Sequence, residues 1–135
     1  MPTKASASTS KRIIKTSKAP MPIGPYNQAV VTGKLVYTAG QIAIDPKTGS
    51  VFYGSAGEQT RLVLSNLKNV LEAAGSSLKK VIKTTVFLKN MDDFQSINII
   101  YAEFFDAKDA PARSTIEISR LPKDVLVEIE AVATI

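Results

Sequence analysis

Apolar positions along this chain switch between two rhythms. From Leu35 to Ile44 the residues are strand-forming, with a turn before them at Gly33-Lys34 and a second turn signal after them in Asp45–Gly49, "DPKTG". A second strand-turn-strand unit is therefore expected before residue 55. The period then lengthens. Val63, Leu67, Val70 and Ala74 form one stripe, flanked by Leu64 and Leu71, and Gly75 follows as a stop, which predicts an amphipathic helix over residues 57–74. Lys80–Asn90 is rich in β-branched residues and reads as a strand. Helical spacing returns through Phe94, Ile97, Tyr101 and Phe104, with Asp92 and Gln95 resembling a capping box at its start. Arg113–Ser119 and Val125–Ile135 alternate as strands, joined by "RLPKD". With a first strand near Lys11–Thr16, the expected order is β-β-β-α-β-α-β-β. Hairpin-linked strands with two interposed helices indicate an α+β domain, a mixed sheet with both helices on one face.

Length and composition narrow the chemistry. The 135 residues make one domain, and no apolar run approaches a membrane span. The chain has no cysteine and no histidine, so the common zinc sites, thiol nucleophiles and Ser-His-Asp machinery are excluded, and no metal is expected. Neither a Walker phosphate loop nor a dinucleotide glycine fingerprint occurs. The net charge of +5 is local: Lys4, Lys11, Arg12, Lys15 and Lys18 precede any acid, and removing these five from the 17 cations leaves 12 against 12 acids. The body is neutral, which makes nucleic acid an unfavoured partner. Residues 1–18 read as a basic tail, either a disordered lead into the first strand or a remnant of a mitochondrial targeting segment, so that matrix and cytoplasm both stay open. Residues 19–135 read as the folded domain.

Side chains two apart on a strand share a face. Arg113, Thr115 and Glu117 lie on one side of their strand. On the last strand Val127, Ile129, Ala131 and Ala133 oppose Glu128 and Glu130. Carboxylates in so apolar a setting are expensive to bury without partners. Arg113 is either their partner, a solvated surface charge, or a hook waiting for an anion. A guanidinium grips a carboxylate through two parallel hydrogen bonds. Glu128 could then hold a water, and Tyr26, after Gly24-Pro25, could line the same cleft. Gly40 within a strand pattern marks a bulge or a close backbone approach.

The segments "IGPYNQAV" (Ile23–Val30), "YTAGQIAIDPKTG" (Tyr37–Gly49), "VIKTTVFLKNMDDF" (Val81–Phe94), "NIIYAEFF" (Asn98–Phe105) and "PARSTIEISRLPKDVLVEIEAVA" (Pro111–Ala133) together resemble the RidA/YjgF/UK114 family of reactive-intermediate deaminases. The resemblance runs from about Ala19 to the end. It implies a chorismate-mutase-like α+β fold and a homotrimer whose sheets form a central barrel, with ligand clefts between subunits. It implies cofactor-free hydrolysis of 2-enamine and 2-imine acids, such as 2-aminoacrylate, to 2-keto acids and ammonia. By that similarity Arg113 clamps the substrate carboxylate, Glu128 positions water, and Tyr26, Gly40, Asn98 and Thr115 shape the pocket. Two positions depart from many relatives: Ala39 stands where serine is common, and Thr115 where cysteine is common. RNA cleavage, ascribed to some relatives, and non-catalytic keto-acid binding or chaperone-like action are the competing functions.

Overall fold

In the computed structural model, residues 10–135 are described; the residues 1–9 of the basic tail lie outside them. Six strands form one mixed sheet: β1 (Lys11–Ile14), β2 (Ala29–Thr32), β3 (Leu35–Thr38), β4 (Val81–Leu88), β5 (Ala112–Glu117) and β6 (Val127–Thr134). Their spatial order is β1-β2-β3-β6-β4-β5. All pairs are antiparallel except β4 with β5. That parallel pair follows from the intervening helix, since parallel neighbours need a crossover. Helices α1 (Ala56–Ala73) and α2 (Phe94–Phe104) supply the two predicted helical segments.

The core lies between the two helices and one face of the sheet. β6 alternates without exception, burying Val127, Ile129, Ala131 and Ala133 and turning Glu128, Glu130 and Val132 the other way. From α1, Val63, Leu64, Leu67, Val70 and Leu71 are fully enclosed against this face. Each enclosed leucine contributes roughly 1.5–3 kcal/mol through removal of its surface from water. The opposite sheet face keeps Tyr37, Ile82 and Ile116 exposed.

Two local expectations are corrected. The strand expected to run to Ile44 stops at Thr38, and the second hairpin shrinks to a single bridge, Ile44 with Val51. The cause is one extra residue. Tyr37 pairs with Val132, yet the next contact is Gln41 with Ile129, so three residues on one strand oppose two on the other. Thr38 fills the gap by accepting the Ala131 N–H on its hydroxyl at 3.0 Å. The "DPKTG" segment still turns: Asp45 Oδ1 accepts the Lys47 N–H at 2.8 Å. The second correction concerns α2. Asp92 caps nothing; instead Asn90 accepts the Asp92 N–H at 2.9 Å and opens a short 3₁₀ turn, Met91–Asp93, that feeds the helix. The Asp93 side chain makes no capping hydrogen bond. The reciprocal capping box sits at α1, where Ser55 accepts the Glu58 N–H at 3.2 Å and Glu58 accepts the Ser55 N–H at 2.9 Å. Boundaries elsewhere shift by one or two residues, and the strand expected near Lys11–Thr16 spans Lys11–Ile14.

Because the Ser55 hydroxyl is the acceptor for the Glu58 N–H at the α1 cap, Ser55→Ala is expected to lower the unfolding free energy by about 1 kcal/mol without changing the denaturant slope. Urea unfolding monitored by circular dichroism checks this, and an unchanged midpoint would rule out the cap as a contributor.

Candidate active site

The sheet distributes the anticipated site residues over two places. The first is a cavity of about 390 Å³ whose walls include Met21, Ile23, Tyr26, Gly40, Ile44 and Glu128. Its entrance loop is held by a buried glutamine. Gln28 accepts the Thr16 N–H at 2.7 Å and donates to Thr16 O at 3.0 Å and Pro20 O at 2.8 Å. This fixes residues 16–20 against β2, so that Pro20 and Met21 form a wall. Tyr26 sits half-exposed at the rim, its hydroxyl accepting the Ile23 N–H at 3.3 Å.

Glu128 lies over Gly40. A Cβ at position 40 would fall inside the Glu128 carboxyl group, so a side chain at 40 and the carboxyl in this seat exclude each other. The bulge and the glycine are thus two parts of one arrangement, in which the backbone at residues 38–41 makes room for a carboxylate from β6. Burial, with a smaller push from the Glu130 charge, holds the Glu128 carboxyl above its ordinary 4.5. A half-buried carboxylate of raised pKa is a better proton acceptor than a solvated one.

The second place is the outer edge of β5. Arg113 is the register partner of Thr84 on β4, and Thr84 in turn pairs with Ala131 on β6. Thr84 and Ala131 are buried beneath the helices, so Arg113 is on the helical face. Its guanidinium carbon stands 4.7 Å from the ring centre of Tyr101 and 5.5 Å from that of Phe94. Asn98, between those two on α2, and Thr115, two residues along β5, flank it at helical and strand spacing respectively. Burial pushes the Tyr101 hydroxyl above its ordinary 10.0, opposed in part by its bond to Thr84 and by the Arg113 charge. The ion pairs among the described residues are Arg61–Glu103 and Arg120–Asp124, so neither Arg113 nor Glu128 is neutralised by one.

The two places do not meet within one chain. Glu128 pairs with Phe87 of β4, three residues along from Thr84 and on the opposite face. The separation is two strand spacings across, about 10 Å, and roughly 10 Å along, with the sheet between. Tyr26, Gly40 and Glu128 line one cavity; Arg113 and Thr115 share a face of β5, and Asn98 stands on α2 between the two rings beside the guanidinium; the two groups of residues are kept apart. Strand parity alone did not reveal this, nor the parts played by Gln28, Phe94 and Tyr101. The aromatic pair was visible only as the buried stripe of a helix, and Gln28 carries no periodic signal.

With this geometry in view, comparison with known proteins is direct. The family described as Endoribonuclease L-PSP matches residues 16–135. A RutC family protein of Pyrococcus horikoshii is 57% identical over 123 residues, covering 91% of this chain and 97% of its own. The 2-iminobutanoate/2-iminopropanoate deaminase of Salmonella typhimurium is 48% identical over 124 residues, covering 90% of this chain and 96% of its own. Among solved structures, Escherichia coli TdcF with bound serine superposes with a TM-score of 0.86 at 46% identity, covering 92% of this chain and 98% of that one. The chain belongs to the RidA/YjgF family.

Gly40→Ala is expected to drive the Glu128 carboxylate out of its seat. The flexible side chain can yield, so the stability change should stay within about 1 kcal/mol. A crystal structure of the variant should find Glu128 in another rotamer. An unmoved carboxylate would show that the glycine is not needed for this approach.

Proposed function

We propose that this protein hydrolyses 2-imino and 2-enamino acids to 2-keto acids and ammonia, at sites formed between copies of the chain in a homotrimer. The observation that carries the reading is the pair of uncommitted groups, a guanidinium on one sheet face and a carboxylate on the other. A second copy can bring the Arg113 face of one subunit to the Glu128 cavity of the next. The deaminase name carried by the Salmonella relative supports the same chemistry.

In this reading Arg113 binds the substrate carboxylate through a charge-assisted fork, contributing roughly 1.5–3 kcal/mol per charged hydrogen bond. The imine carbon is then held at the mouth of the cavity. Glu128 accepts a proton from a water as its oxygen adds to that carbon, giving a tetrahedral carbinolamine. That proton passes to the imine nitrogen; Glu128 then takes the carbinolamine hydroxyl proton and delivers it to the amine as the C–N bond breaks, so that both water protons leave on ammonia, the keto acid remains and the carboxylate is regenerated. Water, imine and two side chains balance the reaction, so catalysis rests mainly on orientation. Asn98 and Thr115 border the bound acid on the arginine side, Tyr26 and the Gly40 backbone on the other. Ala39, lacking a hydroxyl, leaves that wall apolar.

The test couples an imine-generating dehydratase to the protein and follows imine decay. Arg113→Ala and Glu128→Gln should each lower turnover at least about 30-fold, the factor for loss of some 2 kcal/mol of transition-state binding. Native turnover should fall as the medium is acidified through the raised Glu128 pKa, because the base form is needed. Mixing the two inactive variants and allowing subunits to exchange should restore about a quarter of the native rate, since sites drawing Arg113 from one chain and Glu128 from another become whole. No recovery after demonstrated exchange would place the site within a single chain or abolish the assigned roles. The family's description as an endoribonuclease favours one other reading, RNA cleavage. The charge-balanced body opposes it, and retention of RNA on a filter at low salt would revive it.

A further inference from the structure

We infer that Tyr101 and Phe94 are positioning residues for Arg113, an aromatic seat that fixes the guanidinium while leaving its charge unspent. Both rings come from α2, two helical turns apart, and both lie within cation–π range of the same guanidinium, at 4.7 Å and 5.5 Å. Tyr101 is itself immobilised from two sides. Its hydroxyl shares a 2.7 Å hydrogen bond with Thr84, a residue with no exposed surface. Its ring packs on Phe105 with centres 4.6 Å apart and planes inclined by 35°. Thr84 is also the strand neighbour of Arg113, so the ring is tied to the very row of the sheet from which the arginine projects.

The choice of partner chemistry separates this from ordinary core filling. Arg113 stands on an edge strand, where a long side chain would otherwise sample many rotamers. A carboxylate partner would fix it but would also occupy both arms of its fork. An aromatic face restrains the cation through its quadrupole and leaves the in-plane N–H groups free for a ligand anion. Tyr101 therefore acts on the ligand only through Arg113, and its hydroxyl acts only through the ring. The part concerning ligand affinity rests on the proposed function; the part concerning the guanidinium does not.

The test uses Tyr101→Leu, Tyr101→Phe and Phe94→Leu with three readouts. The first is the Nε–H resonance of Arg113 in the ligand-free protein, the second the affinity for 2-ketobutyrate, the third the melting temperature. Tyr101→Leu should shift the Nε–H signal away from its ring-current position and weaken 2-ketobutyrate about three- to thirty-fold, the range of a cation–π contribution. Tyr101→Phe should keep both within about twofold while melting earlier, since it loses only the bond to Thr84. Phe94→Leu, at a partly exposed ring, should act in the same direction more weakly, and it carries the test should Tyr101→Leu fail to fold. A leucine variant with lowered melting temperature but an unmoved Arg113 resonance and unchanged affinity would overturn the inference and leave the rings a structural role. Failure of the native protein to bind 2-ketobutyrate would sink the proposed function instead, while the resonance would still decide on the seat.

Discussion

Everything functional in this molecule follows from one constraint, that neighbouring rows of a sheet hold their side chains on fixed faces. The pairing of β5 with β4 and of β4 with β6 puts Arg113 on the helical side and Glu128 on the other. No rotamer change can reverse that, because a side chain changes face only if its strand slips by one residue. Slippage of β6 would bury Glu128 and Glu130 in the place of Val127, Ile129 and Ala131, which the core forbids. A single chain thus holds its two candidate groups on opposite faces of the sheet.

Each half is prepared in a way that keeps its charged group available. On the cavity side, the extra residue before Gln41 and the bare Cα of Gly40 allow Glu128 to rest close to backbone without an ion pair. Partial burial then raises its pKa. On the edge side, two aromatic rings take the position an acid would otherwise fill. Opposite charges that could have neutralised each other are separated by a layer of backbone. In the proposed reading, a small ligand with an anionic carboxylate and an electrophilic carbon bridges the arginine of one copy and the glutamate of the next.

Much of the fold was legible from the chain, and the reason is periodicity. The stripe Val63–Leu67–Val70 and the alternation in Val127–Thr134 each encode one element and its buried face without reference to the rest. The failures were long-range. The lone glycine at 40 marks a bulge or a close backbone approach, and both are found; what nothing near it names is the partner, Glu128, 88 residues later. The cap of α2 was misplaced because Asp92 and Gln95 imitate a motif that Asn90 and a 3₁₀ turn replace. For the site, parity correctly sorted residues within β5 and within β6, but the relation between the strands depends on their shared register with β4. Tyr101 shows in the sequence only as a position of the helical spacing; it is core, and its second contact, to Arg113, depends on strand and helix being placed together.

The most direct measurement is a crystal structure of the protein with 2-ketobutyrate bound. The account predicts the ligand carboxylate forked onto Arg113 of one chain, with its carbonyl carbon facing Glu128 and Gly40 of a neighbouring chain. A ligand held entirely by residues of one chain, or bound with Arg113 turned to solvent, would contradict it.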